Sequence, residues 1–296
     1  MNVPRPSRSR PSPARASRPC SRSAFSLIEI LISLAIIALL LSLVLPGLAG
    51  ARESARAAAC SSNLRQLAAA VHAYAADFRG AAPPAAANAL RNLDRWHGSR
   101  NAVAHAFTPS GGALSHHLGE DTALPGAATT RLCPTFAPDL TALAAAGRGF
   151  ERSCGGYGYN YRFLGAVRAR RADLWVEVSD RSGSALARFA RPAETLAFAD
   201  AAFVDPPGPL GIIEYSFLEP RWWPDLPGQR PDPSIHFRHH ARAPDPGVAL
   251  AARLDGHVAP DRRAFTWSSG IYGDPARDPR TGWTGNADDN RLFDYD

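Results

Sequence analysis

The chain has 296 residues, with 33 Lys or Arg against 27 Asp or Glu, a formal net charge of +6 and a pI near 9.5. Hydrophobic residues at 45% and charged residues at 20% are typical of a globular protein and exclude wholesale disorder. Four cysteines are too few for a small disulfide-rich fold. Every cation is an arginine, and the positions of these arginines decide whether the basic pI indicates an acidic partner.

Residues 1–24 form a basic leader that holds six arginines and no acidic residue. Pro and Ser fill much of the remainder, so this segment cannot build a core and is typical of a leader peptide. Taking these six from the 33 leaves 27 cations against 27 acidic residues. The positive excess therefore belongs to the leader, and composition does not predict a nucleic-acid partner.

An apolar segment, residues 25–45, follows the leader and contains one charged residue, Glu29. As a helix it would span about 30 Å, the thickness of the bilayer hydrocarbon, and it is longer than the ~7–15 apolar residues of a secretory signal. Because arginines precede it and the next cation, Arg52, comes only after Pro46, the positive-inside rule places the leader in the cytoplasm. The C-terminal bulk of the chain is then exported.

Glu29 is the exception in this segment. A carboxylate within an apolar membrane helix is costly unless it finds a cationic or hydrogen-bonding partner, so it indicates a function. The alternative is a Glu near the helix start that the helix dipole favours and that reaches the membrane surface. The residue alone leaves both interpretations open.

The segment from Ala24 to Glu29, AFSLIE, resembles the prepilin cleavage and methylation motif of the type IV pilin and type II secretion pseudopilin superfamily. The resemblance implies that a prepilin peptidase cuts between Ala24 and Phe25 and methylates the new Phe25 amine. It also implies that Glu29 pairs with the Phe25 amine of a neighbouring subunit and that Pro46 kinks the helix. The family usually has Gly where this chain has Ala24. A competing ordinary signal-peptidase site, small-x-small, lies at residues 49–51.

Residues 46–80 predict an amphipathic continuation of the helix, because Leu64, Leu67 and Val71 recur at spacings of three and four. The segment from Cys60 to Pro84 resembles a pseudopilin-like subgroup. Residues 81–296 are predicted to form the exported globular domain. The expected fold is α+β, with the long helix packed on an antiparallel sheet that has long loops.

Within this domain the sequence predicts a short helix at Leu140–Ala146 and strands at Leu174–Val178, Thr195–Ala199 and Gly211–Phe217. The subgroup also carries an Arg-His pair followed by Asp-Gly-His-Val, and the chain has this layout with a longer connection. Alternating apolar residues around Asp-Gly predict a β-hairpin with a tight turn. The residues of this hairpin motif are His239, His240, Asp255, Gly256 and His257.

Export permits a disulfide, and Cys133 with Cys154 is the candidate pair. A zinc site is not favoured, since these cysteines lack a CxxC pair. Clustered histidines and acids could form a hydrolase or metal site if they converge; they are His236, His239, His240, His257, Asp200 and Asp255. No nucleophile elbow, P-loop, HExxH or dinucleotide-binding loop accompanies them, so we expect no enzyme activity. Carboxylates that could bind calcium, or simply form a solvated acidic tail, are Asp288, Asp289 and Asp294.

The sequence thus predicts a pseudopilin-like structural subunit or minor component of a type II secretion pseudopilus or pilus-like fibre. Its expected location is the inner membrane, crossed once, with the N-terminus in the cytoplasm and the C-terminal domain in the periplasm or beyond. Expected partners are the prepilin peptidase and other pilin-like subunits. The alternative is a membrane-anchored exported binding or carbohydrate-active protein that uses the pilin export route.

Overall fold

The computed structural model describes residues 26–120, 130–147, 149, 151–205, 210–241, 245–272 and 280–296. The chain divides into two compact units, residues 1–49 and residues 50–296. The basic leader, Ala24 and Phe25 lie outside the described residues.

The described chain contains two α-helices, α1 at Leu27–Asp77 and α2 at Ala137–Ala146. Short 3-10 helices lie at Ala89–Arg91, His116–Leu118 and Leu186–Arg188. The strands are β1 Asp94–Arg95, β2 Gly98–Ser99, β3 Tyr157–Tyr159, β4 Val167–Arg171, β5 Leu174–Ser179, β6 Leu196–Asp200, β7 Phe203–Val204, β8 Ile212–Ile213, β9 Ile235–His236, β10 Val248–Arg253, β11 Val258–Phe265 and β12 Thr281–Thr284.

The part of α1 that belongs to the second unit is amphipathic, as predicted. Its buried residues include Cys60, Leu64, Leu67 and Val71, at spacings of three and four that place them on one face of the helix. The helix ends before Gly80, whose φ of +83° suits a glycine and whose N–H donates to the Ala75 carbonyl at 2.7 Å. The apolar face of this segment therefore contributes directly to the core of the second unit.

A six-stranded sheet forms the centre of the second unit, in the order β3-β6-β10-β11-β12-β9, and every neighbouring pair is antiparallel. Three further sheets have two strands each, β1-β2, β4-β5 and β7-β8. The long α1 and the antiparallel sheet confirm the predicted α+β class.

Large aromatic side chains fill the core around this sheet. Trp96 packs edge-on against Phe198 of β6, with ring centroids 5.1 Å apart. Its indole N–H donates to the Ser216 carbonyl at 2.8 Å, and the indole N–H of Trp283 donates to the Glu219 carbonyl at 3.1 Å. Both buried indoles thus have the hydrogen-bond partner that a buried tryptophan requires.

Two of the three predicted strands are present with ends shifted by one residue, as Leu174–Ser179 and Leu196–Asp200. The third prediction, Gly211–Phe217, is largely wrong, because only Ile212–Ile213 forms a strand. Beyond it, Phe217 makes a single parallel bridge to Tyr159 of β3. The predicted short helix is present but starts three residues earlier, with a proline in its first turn.

Candidate functional site

The start of α1 is a capping box built from Ser26 and Glu29. The Ser26 hydroxyl oxygen accepts a hydrogen bond from the Glu29 backbone N–H at 3.3 Å, and Glu29 Oε2 accepts one from the Ser26 N–H at 2.8 Å. This reciprocal pair satisfies two N–H groups that an open helix end leaves unpaired. The local sequence Ser-x-x-Glu therefore explains why the helix begins at this point, immediately after the expected cleavage site.

The first unit presents an apolar helix surface. The side chains of Leu27, Ile28 and most apolar residues up to Leu45 are more than half exposed. Its apolar window has a mean hydropathy of 2.9, and the helix is long and apolar enough to cross a membrane. This is compatible with a single-pass membrane anchor. Pro46 lies inside the helix, and its role in a kink stays a prediction.

In the second unit, four buried side chains from distant parts of the sequence meet. Cys60 Sγ on α1 lies 2.8 Å from Cys133 Sγ. His239, which follows β9, and Asp200, the last residue of β6, lie beside them, with His239 Nε2 3.1 Å from Asp200 Oδ2. All four residues have no exposed surface. We refer to Cys60, Cys133, His239 and Asp200 as the thiol–imidazole cluster.

Strand pairing places two members of this cluster, Asp200 and His239. Ala201, next after β6, bridges Ile235 of β9, and this brings the segment that carries His239 alongside the end of β6. The backbone N–H of Leu250 on β10 donates to Asp200 Oδ2 at 2.7 Å, which fixes the carboxylate. His239 is itself held by paired backbone hydrogen bonds with Val248.

Electrostatics within the cluster favour a thiolate beside a charged imidazole. The contact with Cys133 is the main cause that lowers the pKa of Cys60 to about 5, against the effect of burial, and His239 adds to it. Burial alone would lower the pKa of His239, but Asp200 and then Cys60 outweigh it and raise the pKa to about 9. Burial raises the pKa of Cys133. Cys60 is thus the more acidic of the two thiols.

Cys60, His239 and Asp200 are residue types that can act together as a nucleophile, a base and a carboxylate that orients the base. A substrate would have to reach the Cys60 sulfur, which has no exposed surface and is covered by Cys133 at 2.8 Å. This arrangement is suited to chemistry between the two sulfurs rather than to attack on a bound substrate.

The remaining histidines singled out in the sequence do not join the cluster. His236 is fully buried against Phe136, with ring centroids 5.9 Å apart, and burial holds its pKa well below the usual value. His240 is exposed, and its backbone N–H donates to Glu53 at 3.5 Å. His257 Nδ1 lies 2.7 Å from Asp255 Oδ1 at an exposed turn.

That turn belongs to the predicted hairpin, which is present. Strands β10 and β11 pair antiparallel from Val248↔Arg262 to Ala252↔Val258. Gly256 lies in the turn with φ +94°, a conformation that glycine adopts without strain. The Asp255 carboxylate also accepts the His257 N–H at 3.1 Å, so both residues have a structural role in the turn.

The candidate disulfide between Cys133 and Cys154 is not formed in this structure. Cys60, Cys133 and Cys154 are all free thiols, and the Cys133 sulfur faces Cys60. The backbones of the two segments do meet, through the hydrogen bond from the Cys133 N–H to the Gly155 carbonyl at 2.9 Å. The Cys154 thiol is buried elsewhere, where burial and the nearby Glu214 raise its pKa.

The C-terminal carboxylates proposed for calcium are engaged separately. Asp288 pairs with Arg230 at 2.8 Å, and Asp289 pairs with Arg291 at 2.8 Å. Asp294 is half-buried, and burial raises its pKa to about 6. Among the described residues, the one group of three or more His, Cys, Asp or Glu side chains whose potential ligand atoms lie within 4.8 Å of one another is Cys60, Cys133 and His239. Calcium binding by the three aspartates therefore stays a prediction without added support.

Sequence reasoning missed the role of Cys60, although it identified the other three members of the cluster as residues of interest. Cys60 and Cys133 are separated by 73 positions, and no spacing pattern connects them. The usable signal was the helical periodicity, since Cys60 precedes Leu64 by one turn on the buried face of α1.

Two family models match the chain. Residues 20–45 match the prokaryotic N-terminal methylation motif, and residues 49–153 match a family described as a protein of unknown function, DUF1559. No curated protein and no solved structure gives a match. The first match includes Ala24 to Glu29 and confirms the resemblance to the pilin-like superfamily. The second includes Cys60 and Cys133 and ends before Cys154.

Proposed function

We propose that this pilin-like chain is a structural subunit or minor component of a type II secretion pseudopilus or a pilus-like fibre. Prepilin peptidase cuts it between Ala24 and Phe25 and methylates the Phe25 amine. The observation that carries the proposal is the match to the N-terminal methylation motif, followed directly by a helix that exposes its apolar side chains. The anchor crosses the inner membrane once, with the leader in the cytoplasm and residues 81–296 on the exported side.

The exposed apolar surface of residues 27–45 supports this proposal. A contiguous apolar surface of this length is unfavourable in water and requires a lipid or protein neighbour. Lipid supplies it before assembly, and the equivalent helices of adjacent subunits supply it in a fibre. One surface therefore serves both states of the protein.

Glu29 supplies the polar contact in this apolar environment. In the single chain one of its oxygens accepts the Ser26 N–H at 2.8 Å. The Phe25 amine of a neighbouring subunit is a cation, and a charge-assisted hydrogen bond is stronger than one to a neutral N–H. We infer that assembly replaces or supplements the capping contact with this ion pair, so that Glu29 links helix initiation to subunit addition.

The proposal includes no catalytic activity, since the nucleophile–base pair of the thiol–imidazole cluster lies beneath Cys133. The alternative, an exported binding or carbohydrate-active protein, draws limited support from a cavity of about 570 Å³ near Phe107 and Leu140. Its charged groups are already engaged, because Arg131 pairs with Glu120 at 2.9 Å and Glu214 accepts the Ser153 N–H at 2.9 Å.

Determining the mature N-terminus tests the proposal. The full chain, produced with a prepilin peptidase and recovered from membranes, should begin at Phe25 and carry the mass of one added methyl group. The Ala24→Gly variant is the matched control and should be processed at the same bond. A mature start at Arg52 would indicate signal-peptidase cleavage instead, and an intact leader would contradict processing altogether.

A further inference from the structure

Among the described residues, the two thiols that lie closest together are on α1 and on the segment before α2. Cys60 Sγ and Cys133 Sγ are 2.8 Å apart and are both fully buried. This is well inside the ~4 Å at which apolar atoms are in contact, and within about 0.8 Å of a covalent S–S bond. Two sulfurs 73 positions apart in sequence are thus held in position to react.

We propose that Cys60 and Cys133 are an oxidation site, converted after export into a disulfide that fastens α1 to the globular part of the second unit. The proposal rests on the proposed function in one respect, because it needs the exported side of the membrane, where disulfides persist. It replaces the Cys133–Cys154 pair expected from the sequence.

The reaction is an exchange with an external disulfide, either a small molecule or an exported thiol oxidase. Because Cys60 has no exposed surface, the exchange requires a local opening of the cluster. The exposed Cys60 thiolate then attacks one sulfur of that disulfide, forms a mixed disulfide and expels the other sulfur as a thiolate. Cys133 then gives up its proton and attacks the Cys60 sulfur, which releases the second thiolate. Cys60 and Cys133 lose two electrons and two protons, and the external disulfide becomes a dithiol.

His239 is the positioning residue for this exchange, and Asp200 holds it. The contact with Cys133, followed by that with His239, favours the ionised form of Cys60, the form that attacks. Other groups facing the imidazole are the Thr135 hydroxyl, 3.3 Å from Nδ1, and the Glu53 carboxylate, 3.8 Å from the same atom. The Glu53 side chain is 28% exposed, so this neighbour of the imidazole reaches solvent.

A zinc ion bound by Cys60, Cys133 and His239 is the competing use of the same atoms. Zinc–sulfur bonds of about 2.3 Å in a tetrahedral site would hold the two sulfurs about 3.8 Å apart. The two sulfurs are 2.8 Å apart. To bind zinc they would have to move apart by about 1 Å, whereas to form a disulfide they would have to move together by only about 0.8 Å. The geometry therefore favours the covalent bond.

A tryptic digest of the full chain under non-reducing conditions tests the proposal. Cleavage after arginine places the three cysteines beyond the leader in separate peptides, residues 57–65 for Cys60, 132–148 for Cys133 and 153–162 for Cys154. We expect the first two peptides to be linked and the third to carry an alkylated thiol. The same digest shows whether the chain begins at Phe25, so failure of the disulfide and failure of the proposed processing are distinguished.

Matched variants make the result specific. Cys154→Ser should leave the 57–65 to 132–148 link intact, whereas Cys133→Ser should leave Cys60 alkylated. After reduction, His239→Gln should raise the pH at which an added small disulfide restores the link, and a merely structural histidine would not shift this midpoint. Alkylation of both Cys60 and Cys133 in a correctly processed wild-type chain, a link from Cys133 to Cys154, or one bound zinc per chain would each overturn the proposal.

Discussion

The Asp200→Asn variant removes one negative charge from the thiol–imidazole cluster and keeps the shape of the side chain. Asparagine has nearly the same volume and retains an oxygen that can accept the Leu250 N–H, now bonded to Asp200 Oδ2 at 2.7 Å. It removes the negative charge that lies 3.1 Å from His239 Nε2. The variant therefore tests whether the Asp200 charge stabilises a protonated His239 in the folded protein.

The expected magnitude follows from the pKa of His239. In the folded protein it is raised from 6.5 to about 9, where burial opposes the shift and Asp200 is the leading cause in favour of it. About 2.5 pKa units at 1.36 kcal/mol each correspond to about 3 kcal/mol of stability. Because the folded value is the higher one, this stabilisation is fully present below pH 6.5 and is lost as the pH rises through 9.

We expect the free energy of unfolding of Asp200→Asn to fall by about 3 kcal/mol at pH 6 and by much less at pH 10, as measured by denaturant unfolding of the reduced full chain in detergent. The His239→Gln variant is the control, since adding Asp200→Asn to it should cost little more. An equal loss of unfolding free energy at both pH values, or an unchanged His239 titration by NMR, would refute the argument. Asp200 would then act only as the acceptor of the Leu250 backbone hydrogen bond.

Two further predictions concern single carboxylates. Glu29→Gln keeps an oxygen for the Ser26 N–H but removes the charge, so we expect normal membrane insertion and loss of cross-linking between neighbouring subunits. Ser26→Ala is the control that weakens the cap and keeps the charge, and assembly of Glu29→Gln at the wild-type level would exclude the pairing role. Asp294→Asn should stabilise the protein by about 1–2 kcal/mol above pH 6, after allowance for partial exposure, because burial raises the pKa of Asp294 from 3.8 to about 6 and disfavours its ionised form. The cost of a raised carboxyl pKa begins where the unfolded group ionises, near pH 3.8, and is complete only above the folded value of about 6, so the difference should shrink towards pH 4. Denaturant unfolding at pH 7.5 and pH 4 measures it, and a constant difference would contradict the assignment.

The features that the sequence predicted correctly depend on local information. The helix from Leu27 to Asp77 follows from the continuous apolar segment and the apolar periodicity after it, both of which are local patterns, and the structure adds the Ser-x-x-Glu capping box at its start. The hairpin at Asp255-Gly256 follows from one turn whose geometry requires positive φ. Both elements can therefore be predicted from residues that are close together in the sequence.

The thiol–imidazole cluster could not be predicted in this way. Its members come from α1, the segment before α2, the end of β6 and the segment after β9, and the packing of these distant segments brings them together. The candidate pair Cys133 and Cys154 was chosen without any information on how the two thiols are oriented, and they are free in this structure. The two backbones do meet at Gly155, but a shared backbone contact does not orient the thiols towards each other.

The fold suggests a structural reason why all the cationic side chains other than histidine are arginines. Several arginines are buried, and two of them show how: Arg238 stacks on Phe136 at 4.0 Å and donates to the Ala201 carbonyl at 2.6 Å, while Arg168 donates to the Trp175 carbonyl at 2.7 Å. A planar guanidinium with five donors can satisfy several acceptors in the interior and is weakly hydrated, which an ammonium group is not. Removal of the leader leaves 27 cations against 27 acids, and part of the remaining positive charge lies on buried arginines such as these two. A balanced chain without a large net charge can add to copies of itself with little repulsion, which is what a fibre subunit requires.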